Sequence, residues 1–525
     1  MIATEGQRAA AAAGAARRPA GEESALHDDV VARAPLDRVV PVHREIVADT
    51  ETPVSAFLKL RRGGAGFLLE SGERDGRLGR YSFIGVEPEA ILRADLDRGT
   101  VATASEVRAY RGAPLDAVRA LAGEAPVWRD PESEDAAHGF LGLVGAFGWD
   151  LARTLERLPE PPPDDVRFPA ALFARFHTTL MFDHARQRLR VVSLLPPADS
   201  HAARADDLRR AHARIDGVLD ALRRGGAPES RIDASARASA DDVLRGSART
   251  PDDAAFRASV ARAVRDIHDG EAIQVVLSRR LEVPHDGDPF ELYRALRTLS
   301  PSPYMFFLEF PEVALVGASP EMLLRVEGDA AQLSPIAGTR RRGADPDEDA
   351  ALERELAADP KERAEHVMLV DLGRNDLGRV CRPGSVHVPR LMQVERFSHV
   401  MHLVSVVTGR LREDVDALDA FAASFPAGTV SGAPKVRAME LIAELETTAR
   451  GAYAGAVAHV APGARELDAC ITIRTMVARR GRVLLQAGAG IVADSDPDHE
   501  LAETDAKLRS LAAAVAMVKG EGGAR

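Results

Sequence analysis

The stretch LQAGAGIVADSDPDHELAETDAK, residues 485–507, decides how the rest of the chain is interpreted. Its first part, Gln486–Val492, predicts a short strand whose small residues allow backbone amides to approach an anionic ligand closely. A helix then begins, because Asp496 is a good N-cap and Pro497 suits the first helical position. The stretch therefore predicts a ligand-binding strand followed directly by a helix.

A second acidic helix is predicted far upstream, in DPKERAEHVMLVDLGRND, residues 359–376. Asp359 caps this helix, Pro360 takes its first position, and Glu362 completes a D-x-x-E capping box. Glu365 follows three residues later, so Glu362 and Glu365 share one helix face. The upstream helix thus carries a pair of carboxylates.

The C-terminal helix has the same pattern, with Glu500 and Glu503 three residues apart and Lys507 one turn beyond. If the two helix faces converge, four carboxylates repel strongly unless a cation or raised pKa values relieve them. Magnesium takes oxygen ligands and is commonly shared between protein carboxylates and an anionic substrate. For each helix alone, a simpler interpretation stays open: Glu362 only caps, and Glu503 and Lys507 form a solvated pair.

The length and composition of the chain limit the classes of protein to which it can belong. The chain has 525 residues and 45% hydrophobic content, enough for one very large core or two to three ordinary ones. We find no apolar run long enough to span a bilayer and no secretory signal, and two cysteines fit a reducing compartment. The net charge of −12 argues against a nucleic-acid-binding surface. We expect a cytoplasmic protein.

The order of the predicted elements indicates an α+β protein whose large sheets are covered by helices. We divide the chain into a disordered tail (1–28), an N-terminal region (29–224), a polar linker (225–250) and a C-terminal region (251–520). The last region opens with a predicted helix capped by Thr250 and started by Pro251.

Seven motifs arrive in the order and spacing of the chorismate-utilising enzymes: SPIAGTRRRG (334–343), LGRNDLGRV (372–380), HVMHLVS (399–405), FPAGTVSGAPKVRAMELI (425–442), RGAYAGAV (450–457), ITIRT (471–475) and QAGAGIVADSDP (486–497). From about residue 39 to 515 the chain resembles the anthranilate synthase large-subunit family. It departs from the family pattern at Gly373, where alanine is usual, and at Ala458 and His459, where glycine and tyrosine are common.

The resemblance implies a fold of large, mostly antiparallel sheets forming a sandwich covered by helices. It also implies that Glu365 and Glu503 ligate Mg²⁺, which holds the ring carboxylate of chorismate, while Glu362 and Glu500 form an outer shell. The residues that the family pattern assigns to the remainder of the substrate are Tyr453, Arg474, Gly488, Ala489, Gly490, Gly338 and Thr339.

The same resemblance assigns the chemical groups. Glu321 of SPEML is implied as the acid that protonates the departing C4 hydroxyl, which requires a raised pKa. His402 is implied to assist removal of the C2 proton, with Thr429 near the departing group. Lys507 is expected to orient the acidic cluster.

Two positions distinguish the reactions of the family. Relatives that make aminodeoxychorismate carry a nucleophilic lysine at the position of Ala337, and relatives that add water carry a lysine base at the position of Gln274. Ammonia serves as nucleophile without either group. The resemblance therefore implies conversion of chorismate and ammonia to anthranilate and pyruvate through aminodeoxyisochorismate, the first committed step of tryptophan biosynthesis.

The resemblance further implies a hetero-oligomer in which a separate glutamine amidotransferase subunit supplies ammonia. It implies feedback inhibition by tryptophan bound at Ser71, Pro303, Tyr304 and Met305. The alternatives that stay open are another chorismate-utilising reaction (aminodeoxychorismate, isochorismate or salicylate synthesis) and a non-catalytic tryptophan sensor. A nucleotide-binding loop at 428–435 is disfavoured, because the G-x-x-x-x-G-K-[ST] register fails there.

Overall fold

The computed structural model describes residues 31–72, 79–128, 142–224, 226, 232, 239–396 and 400–519. The tail predicted for residues 1–28 lies outside the described residues. Within these ranges, no helix combines the length and the hydropathy needed to cross a membrane.

The helices of the described residues are numbered in chain order. They are α1 (Pro53–Leu60), α2 (Pro114–Ala122), α3 (Ala152–Leu155), α4 (His201–Arg224), α5 (Ala240–Gly246), α6 (Asp253–His268), α7 (Pro289–Leu299), α8 (Pro346–Ala358), α9 (Pro360–Gly378), α10 (Ala417–Ser424), α11 (Lys435–Leu445) and α12 (Pro497–Lys519), with single 3₁₀ turns at Trp149–Leu151, Gly428–Val430 and Pro462–Ala464.

The strands are numbered in chain order. They are β1 (Val40–Val47), β2 (Gly66–Glu70), β3 (Tyr81–Val86), β4 (Ala90–Ala94), β5 (Arg98–Thr103), β6 (Val107–Arg111), β7 (Gly142–Phe147), β8 (Ala171–Phe176), β9 (Thr178–Asp183), β10 (Arg188–Leu195), β11 (Ala248–Thr250), β12 (Gln274–Pro284), β13 (Tyr304–Phe310), β14 (Val313–Ser319), β15 (Met322–Glu327), β16 (Ala330–Leu333), β17 (Ile336–Arg341), β18 (His387–Arg396), β19 (Val400–Arg410), β20 (Gly432–Ala433), β21 (Ala456–Val460), β22 (Glu466–Ile471), β23 (Thr475–Arg479) and β24 (Arg482–Ile491).

These strands form two antiparallel sheets of twelve strands each. The first sheet has the order β1-β10-β9-β3-β2-β13-β14-β23-β24-β12-β11, with β20 attached to β12. The second has the order β17-β19-β16-β15-β22-β21-β7-β8-β4-β5-β6, with β18 attached to β19. Each sheet is therefore built from strands of both halves of the chain, which join at β2–β13 in the first sheet and at β7–β21 in the second.

The three largest of the five apolar cores in the described part of the chain explain why the two sheets stay together. One core holds side chains from inward faces of both sheets, such as Phe67, Phe306 and Val457, and this core lies between them. The other two lie on the outward faces, where apolar stripes of the helices cover each sheet; Phe256 of α6 and Leu508 of α12 are examples. The predicted α+β fold, a sandwich of antiparallel sheets covered by helices, is confirmed.

Part of the predicted linker is structured. Residues 240–246 form α5, because Ser239 caps it by accepting a hydrogen bond from the Asp242 amide and because Leu244 is buried against the helical layer. Residues 248–250 form β11, which pairs with β12. A short amphipathic segment that docks on a neighbouring helix has too few apolar residues to stand out in sequence, so the linker boundary at residue 250 differs from what the structure shows.

The predicted start of the next helix was wrong by two residues. Thr250 does not cap α6; it pairs with Arg280 as the last residue of β11. The cap is Asp252, whose carboxylate accepts a hydrogen bond of 2.8 Å from the Ala255 amide. Thr250 is drawn into the sheet, and the aspartate two residues on takes over the capping role.

Candidate active site

The two acidic helices are capped as their sequences predict. Asp359 accepts hydrogen bonds from the amides of Lys361 and Glu362 at the start of α9. Asp496 accepts hydrogen bonds from the amides of Asp498 and His499 at the start of α12. Both caps fix the first helical turn, which carries Glu362 on α9 and Glu500 on α12, while Glu365 and Glu503 follow three residues later on each helix.

The capping box predicted for α9 is not what the Glu362 side chain forms. Its carboxylate accepts a hydrogen bond of 3.2 Å from Arg340, which also contacts Glu355 and Asp359. The charged Arg340 guanidinium binds a carboxylate more strongly than the backbone amide of the N-cap residue does. The Glu362 carboxylate therefore pairs with Arg340 and does not complete the capping box. Glu362 is thereby held beside the site.

Glu365 shows that the two acidic helices meet. Burial raises the pKa of its carboxyl group, and the negative charges of Glu362 on the same helix and Glu503 on α12 raise this pKa further. A hydrogen bond from Gln274 and the charge of Lys507 act in the opposite direction. Side chains from α9, α12 and β12 therefore lie close enough to act on one another through their charges and through one hydrogen bond.

The metal-ligating geometry is densest on α12. Among the described residues, the ligand atoms of His499, Glu500 and Glu503 lie within 4.8 Å of one another. Burial raises the pKa of Glu500, and the charge of Glu503 adds to this effect. Lys507 lies 2.7 Å from Glu503 and is the cation that faces the cluster from its own helix.

This donor set fits a hard divalent cation. Among the described residues, the four carboxylates outnumber the cations beside them, which are Lys507 at Glu503, Arg340 at Glu362 and Lys361 near Glu500. The remaining negative charge is costly where it is buried, and carboxylate oxygens are the ligands that Mg²⁺ prefers. The assignment of Glu365 and Glu503 as direct ligands and of Glu362 and Glu500 as outer shell stays a prediction. His499 was missed from the sequence, although its spacing of four residues from Glu503 was a usable signal.

In the described ranges, part of β24 is paired on one side only and so leaves a free edge within the first sheet. β24 pairs with β23 only up to Leu485, and beyond it, residues 486–491 pair with β12 alone among the described strands. β23 begins only at Thr475, because the preceding residue, Arg474, has a left-handed backbone with φ of 50° and so cannot continue the extended strand. On the side away from β12, the backbone of Gly488–Gly490 therefore has no partner strand within the described residues, as a ligand-binding edge requires.

Gly488 has no room for a side chain. A Cβ atom there would lie 2.8 Å from the Tyr453 hydroxyl oxygen and 2.8 Å from the Leu277 carbonyl oxygen. At Gly490 a Cβ atom would lie 2.6 Å from Gln274 Nε2. Both glycines share the face that points toward the site, whereas Ala489 between them is fully buried in an outer core.

Arg474 and Tyr453 lie at the same edge. The Arg474 guanidinium donates a hydrogen bond of 3.2 Å to the Lys507 carbonyl, and burial lowers its pKa. Burial raises the pKa of Tyr453 to about 12. Lys507 Nζ also donates to the Gly488 carbonyl at 2.9 Å, so the arginine, the glycine strand and the acidic helix form one connected set.

Arg450 is a buried arginine that the sequence analysis did not select, and it connects the elements next to Tyr453. Arg450 makes two hydrogen bonds to Glu446, at 2.9 and 2.7 Å, and donates to the carbonyls of Val430 and Val276. Its guanidinium also lies 4.3 Å from the centre of the Trp149 ring. Arg450 thus ties the turn that carries Thr429 to strand β12. The i,i+4 spacing of Glu446 and Arg450 was the available signal.

Glu321 and Thr429 form a separate buried pair. The Thr429 hydroxyl donates a hydrogen bond of 3.0 Å to Glu321 Oε1. Burial raises the pKa of Glu321 to about 8, and the Thr429 hydrogen bond opposes that rise. This carboxyl group therefore keeps its proton near neutral pH, as a general acid must.

His402 lies on β19 opposite a bulge in β17. The register shifts between Ala337 and Thr339, where Gly338 has φ of 66° and turns its carbonyl toward the ring. His402 Nδ1 lies 2.9 Å from this carbonyl and 3.1 Å from Thr339 Oγ1. Because the carbonyl only accepts, Nδ1 carries the proton and the lone pair stands on Nε2. Burial lowers the pKa of His402, which keeps the ring neutral.

Gln274 closes the site at the start of β12. Its Nε2 donates a hydrogen bond of 3.0 Å to Glu365 Oε1. The side chain is 3% exposed, and its Oε1 has no hydrogen-bond partner in the part of the chain that the structure describes. Ala337, the other position that separates the reactions of the family, is buried.

The four residues predicted for tryptophan lie at one end of the β2–β13 pair. Gly72, next to Ser71, donates to the Ser302 carbonyl, and Met305 pairs with Glu70. Tyr304 donates a hydrogen bond of 3.0 Å to Asp468 and packs toward the core between the sheets. The Met305 side chain points to the opposite face and packs in an outer core. Pro303 precedes Tyr304 directly.

The fold and this site define a class of protein. The chain belongs to the family of chorismate binding enzymes, whose model matches residues 66–513. The family prediction made from the seven motifs is thereby confirmed.

The relatives narrow the class to one enzyme type. The chain is 45% identical over 507 residues to anthranilate synthase component 1 of Mycolicibacterium smegmatis, covering 94% of each chain. It is 46% identical over 523 residues to the protein of the same name from Streptomyces coelicolor, covering 98% of this chain and 94% of that one. The enzyme class predicted from the sequence, anthranilate synthase, is confirmed by these relatives.

Solved structures agree. The crystal structure of anthranilate synthase component I from Streptococcus pneumoniae superposes with a TM-score of 0.71 at 32% identity, covering 89% of this chain and 99% of that one. The menaquinone-specific isochorismate synthase from Escherichia coli has a TM-score of 0.66 at 20% identity, covering 94% and 99%. The latter likeness concerns the fold alone.

Proposed function

We propose that this chain converts chorismate and ammonia to anthranilate and pyruvate through aminodeoxyisochorismate, with Mg²⁺, as the first committed step of tryptophan biosynthesis. The observation that carries the proposal is the pairing of two acidic sites. Glu321 is a buried acid, and the Glu362, Glu365, Glu500 and Glu503 carboxylates form a cluster suited to a divalent cation.

Glu365 and Glu503 would hold the magnesium ion, with Glu362 and Glu500 around them. When bound, Mg²⁺ neutralises this cluster and provides a positive anchor for the ring carboxylate of chorismate. Lys507 bonds Glu503 and the Gly488 carbonyl, and so it keeps the acidic helix in register with the strand that faces the substrate.

The second carboxylate of chorismate, on the enolpyruvyl group, suits the opposite edge of the site. Arg474 offers a planar guanidinium that can bond both oxygens of a carboxylate. The Tyr453 hydroxyl and the amides of Gly488, Ala489 and Gly490 provide further donors, and the Gly338–Thr339 bulge closes the site. Substrate binding between two anchored carboxylates fixes the ring for reaction.

The first chemical step needs a nucleophile and an acid. Ammonia forms a bond to C2 while Glu321 gives its proton to the C4 hydroxyl, which leaves as water. Gln274 suits the nucleophile side, because its amide donates to Glu365 and its buried Oε1 stays available to accept a hydrogen bond from ammonia. With glutamine at this position and alanine at 337, the chain lacks the lysines that the other reactions of the family require.

The second step aromatises the ring. His402 takes the C2 proton on Nε2, the bond between C3 and the enolpyruvyl oxygen breaks, and the departing enolpyruvate takes up one proton at its methylene carbon to become pyruvate. The neutral state of His402 supports this role as a base. Thr429, which orients Glu321, lies close to the groups that depart.

A direct assay tests the reaction. Chorismate, MgCl₂ and an ammonium salt at raised pH should give fluorescent anthranilate and equimolar pyruvate with the purified chain, and omission of Mg²⁺ should abolish both. Formation of isochorismate, salicylate or aminodeoxychorismate instead would assign the chain to another reaction. Tryptophan binding without any turnover would identify a sensor.

The ammonia source is proposed to be a separate glutamine amidotransferase subunit. The name component 1 in the relatives supports a second component, and neither cysteine is suited as a glutaminase nucleophile: Cys381 and Cys470 are both buried, and burial raises both pKa values. The chain alone should use ammonium but not glutamine. Glutamine-dependent turnover by the chain alone would contradict this.

Tryptophan is proposed to inhibit by binding at Ser71, Pro303, Tyr304 and Met305. The Ser71 hydroxyl is buried and has no partner in the described part of the chain, so it is available to a polar ligand. Ser71→Ala should weaken tryptophan inhibition at least tenfold while kcat changes less than about twofold. Unchanged inhibition in this variant would place the inhibitor elsewhere.

A further inference from the structure

A cavity lies behind the Glu321–Thr429 pair, between α9 and the second sheet. It encloses about 390 Å³, including the part that opens to solvent. Its walls are mostly apolar, and its polar lining residues are Glu321, Ser334, Asp376, Ser424 and Thr429. None of the groups proposed to hold the substrate carboxylates lines it. We call this space the side cavity.

We propose that the side cavity carries away the water formed at Glu321 and returns a proton to this carboxylate, with Asp376 as the group that exchanges the proton. This inference rests on the proposed function, because it concerns the fate of the proton that Glu321 gives to the leaving hydroxyl. It assigns to Asp376 a role as a positioning and proton-relaying residue.

The proton balance of the first step requires such a route. The Glu321 O–H bond and the C4–O bond break, and one water molecule forms. The C2–N bond forms, and the nitrogen releases one proton to solvent water, so the step becomes neutral overall only when one proton has returned from solvent to Glu321. Until then Glu321 is left as a carboxylate, whose charge is costly in a buried site where, among the described residues, Thr429 is the one side chain that donates a hydrogen bond to it. Glu321 lines the side cavity, which the groups proposed to hold the substrate carboxylates do not line, so the cavity offers water a route to this carboxylate that the substrate does not fill.

Asp376 is placed for the exchange. It lines the same cavity from α9, is 8% exposed and is bonded through both oxygens to Lys435 Nζ, at 3.1 and 2.9 Å. Lys435 is fixed in turn by the Ser424 carbonyl at 3.2 Å. Burial raises the pKa of Asp376, although the charge of Lys435 opposes the rise.

The apolar lining suits small neutral molecules. Leu333, Leu369 and Leu372 contribute to the walls, so an anion such as chorismate gains no counter-charge there except Lys435, which Asp376 already neutralises. A Cβ atom at Gly373 would lie 3.3 Å from Leu333 Cδ1. The glycine therefore keeps this part of the cavity wider than an alanine would.

The test compares two aspartates of α9 in the full chain, assayed with chorismate, Mg²⁺ and saturating ammonium. Asp376→Asn removes the exchanging group. Asp371→Asn is the matched control, because Asp371 is exposed, pairs with Arg374 and does not line the cavity. For Asp376→Asn we expect kcat to fall about tenfold, the solvent deuterium isotope effect on kcat to increase, and added imidazole to restore the rate. Asp371→Asn should match the wild type in all three.

A second variant keeps the test decisive if Asp376→Asn folds poorly. Ser334→Leu narrows the cavity without changing charge, and it should lower kcat and increase the isotope effect without rescue by imidazole. Unchanged kcat in both variants would overturn the proposal, as would a selective rise in KM for ammonia or for chorismate, which would make the cavity a substrate route. A wild-type chain that makes no anthranilate overturns the proposed function itself, whereas an active wild type with unaffected variants overturns only the side cavity.

Discussion

Glu321 and the Glu365–Glu503 cluster are two acidic regions in which burial raises carboxyl pKa values, yet their surroundings differ. Glu321 has a single hydroxyl partner, Thr429, and burial alone is the cause that raises its pKa. Glu365 has a second cause, because neighbouring carboxylates repel its charge. An isolated buried carboxyl keeps its proton and is suited to act as an acid, whereas crowded carboxylates are suited to hold a cation.

The largest expected effect is the loss of activity when Glu321, the first of the two regions, is changed. Glu321→Gln keeps the shape of the side chain but removes the transferable proton, so kcat should fall by about 10²- to 10⁴-fold. Because the cluster is untouched, Mg²⁺ affinity measured by calorimetry should stay within twofold of wild type. Substantial residual activity, or a parallel loss of Mg²⁺ affinity, would erase the distinction between the regions.

Glu503→Gln removes one carboxylate from the second region, the Glu365–Glu503 cluster. Loss of an outer-shell group typically costs about 10- to 100-fold in metal affinity, so a direct ligand should cost at least that much. The Mg²⁺ concentration for half-maximal activity should rise accordingly, and excess Mg²⁺ should recover part of the rate. Glu444→Gln, at an exposed position of α11, is the control. Equal Mg²⁺ affinity in both variants would remove Glu503 from the ligand set.

The pH dependence sharpens the same comparison. With its pKa raised to about 8, Glu321 is protonated and active as an acid below that pH and ionised above it. At saturating free ammonia, kcat should therefore fall about tenfold per pH unit above 8. Thr429→Val removes the hydrogen bond that lowers this pKa, so the decline should begin at higher pH. A decline that stays in place would show that another group controls it.

The smallest expected effect concerns the rim of the cluster. Arg340→Met removes a cation beside Glu362, so the cluster becomes more negative and Mg²⁺ should bind up to about threefold more tightly at low salt. The free energy of unfolding should fall by about 1 kcal/mol or less, because the ion pair is partly exposed. Arg341→Met, whose partner Glu348 lies outside the cluster, should leave Mg²⁺ binding unchanged. Weaker Mg²⁺ binding in Arg340→Met would contradict the electrostatic account.

The sequence predicts local features of the site well. The caps at Asp359 and Asp496, the shared faces of the paired glutamates and the fold class are all found in the structure, because they depend on short-range spacing and on motif order. The roles of individual site residues stay predictions that the experiments above address.

Features that depend on distant contacts could not be predicted. Glu362 leaves its cap for Arg340, Thr250 joins β11, and Arg450 links β12 to the Thr429 turn. For Glu362 and Thr250 a partner elsewhere in the chain competes with a local interaction, and the sequence does not show which one is stronger. Arg450 keeps its local pair with Glu446 and adds contacts to distant carbonyls that no local pattern indicates. The order of strands in the two sheets has the same origin, since it pairs residues that are hundreds of positions apart.

The way both halves of the chain share both sheets has a consequence for synthesis. When the N-terminal half leaves the ribosome, β2 and β7 present unpaired edges that only β13 and β21 can cover, and these strands are translated later. The nascent chain therefore spends this interval prone to aggregation. If the chain is cleaved near residue 230, we expect the two fragments to stay folded only while they remain bound to each other.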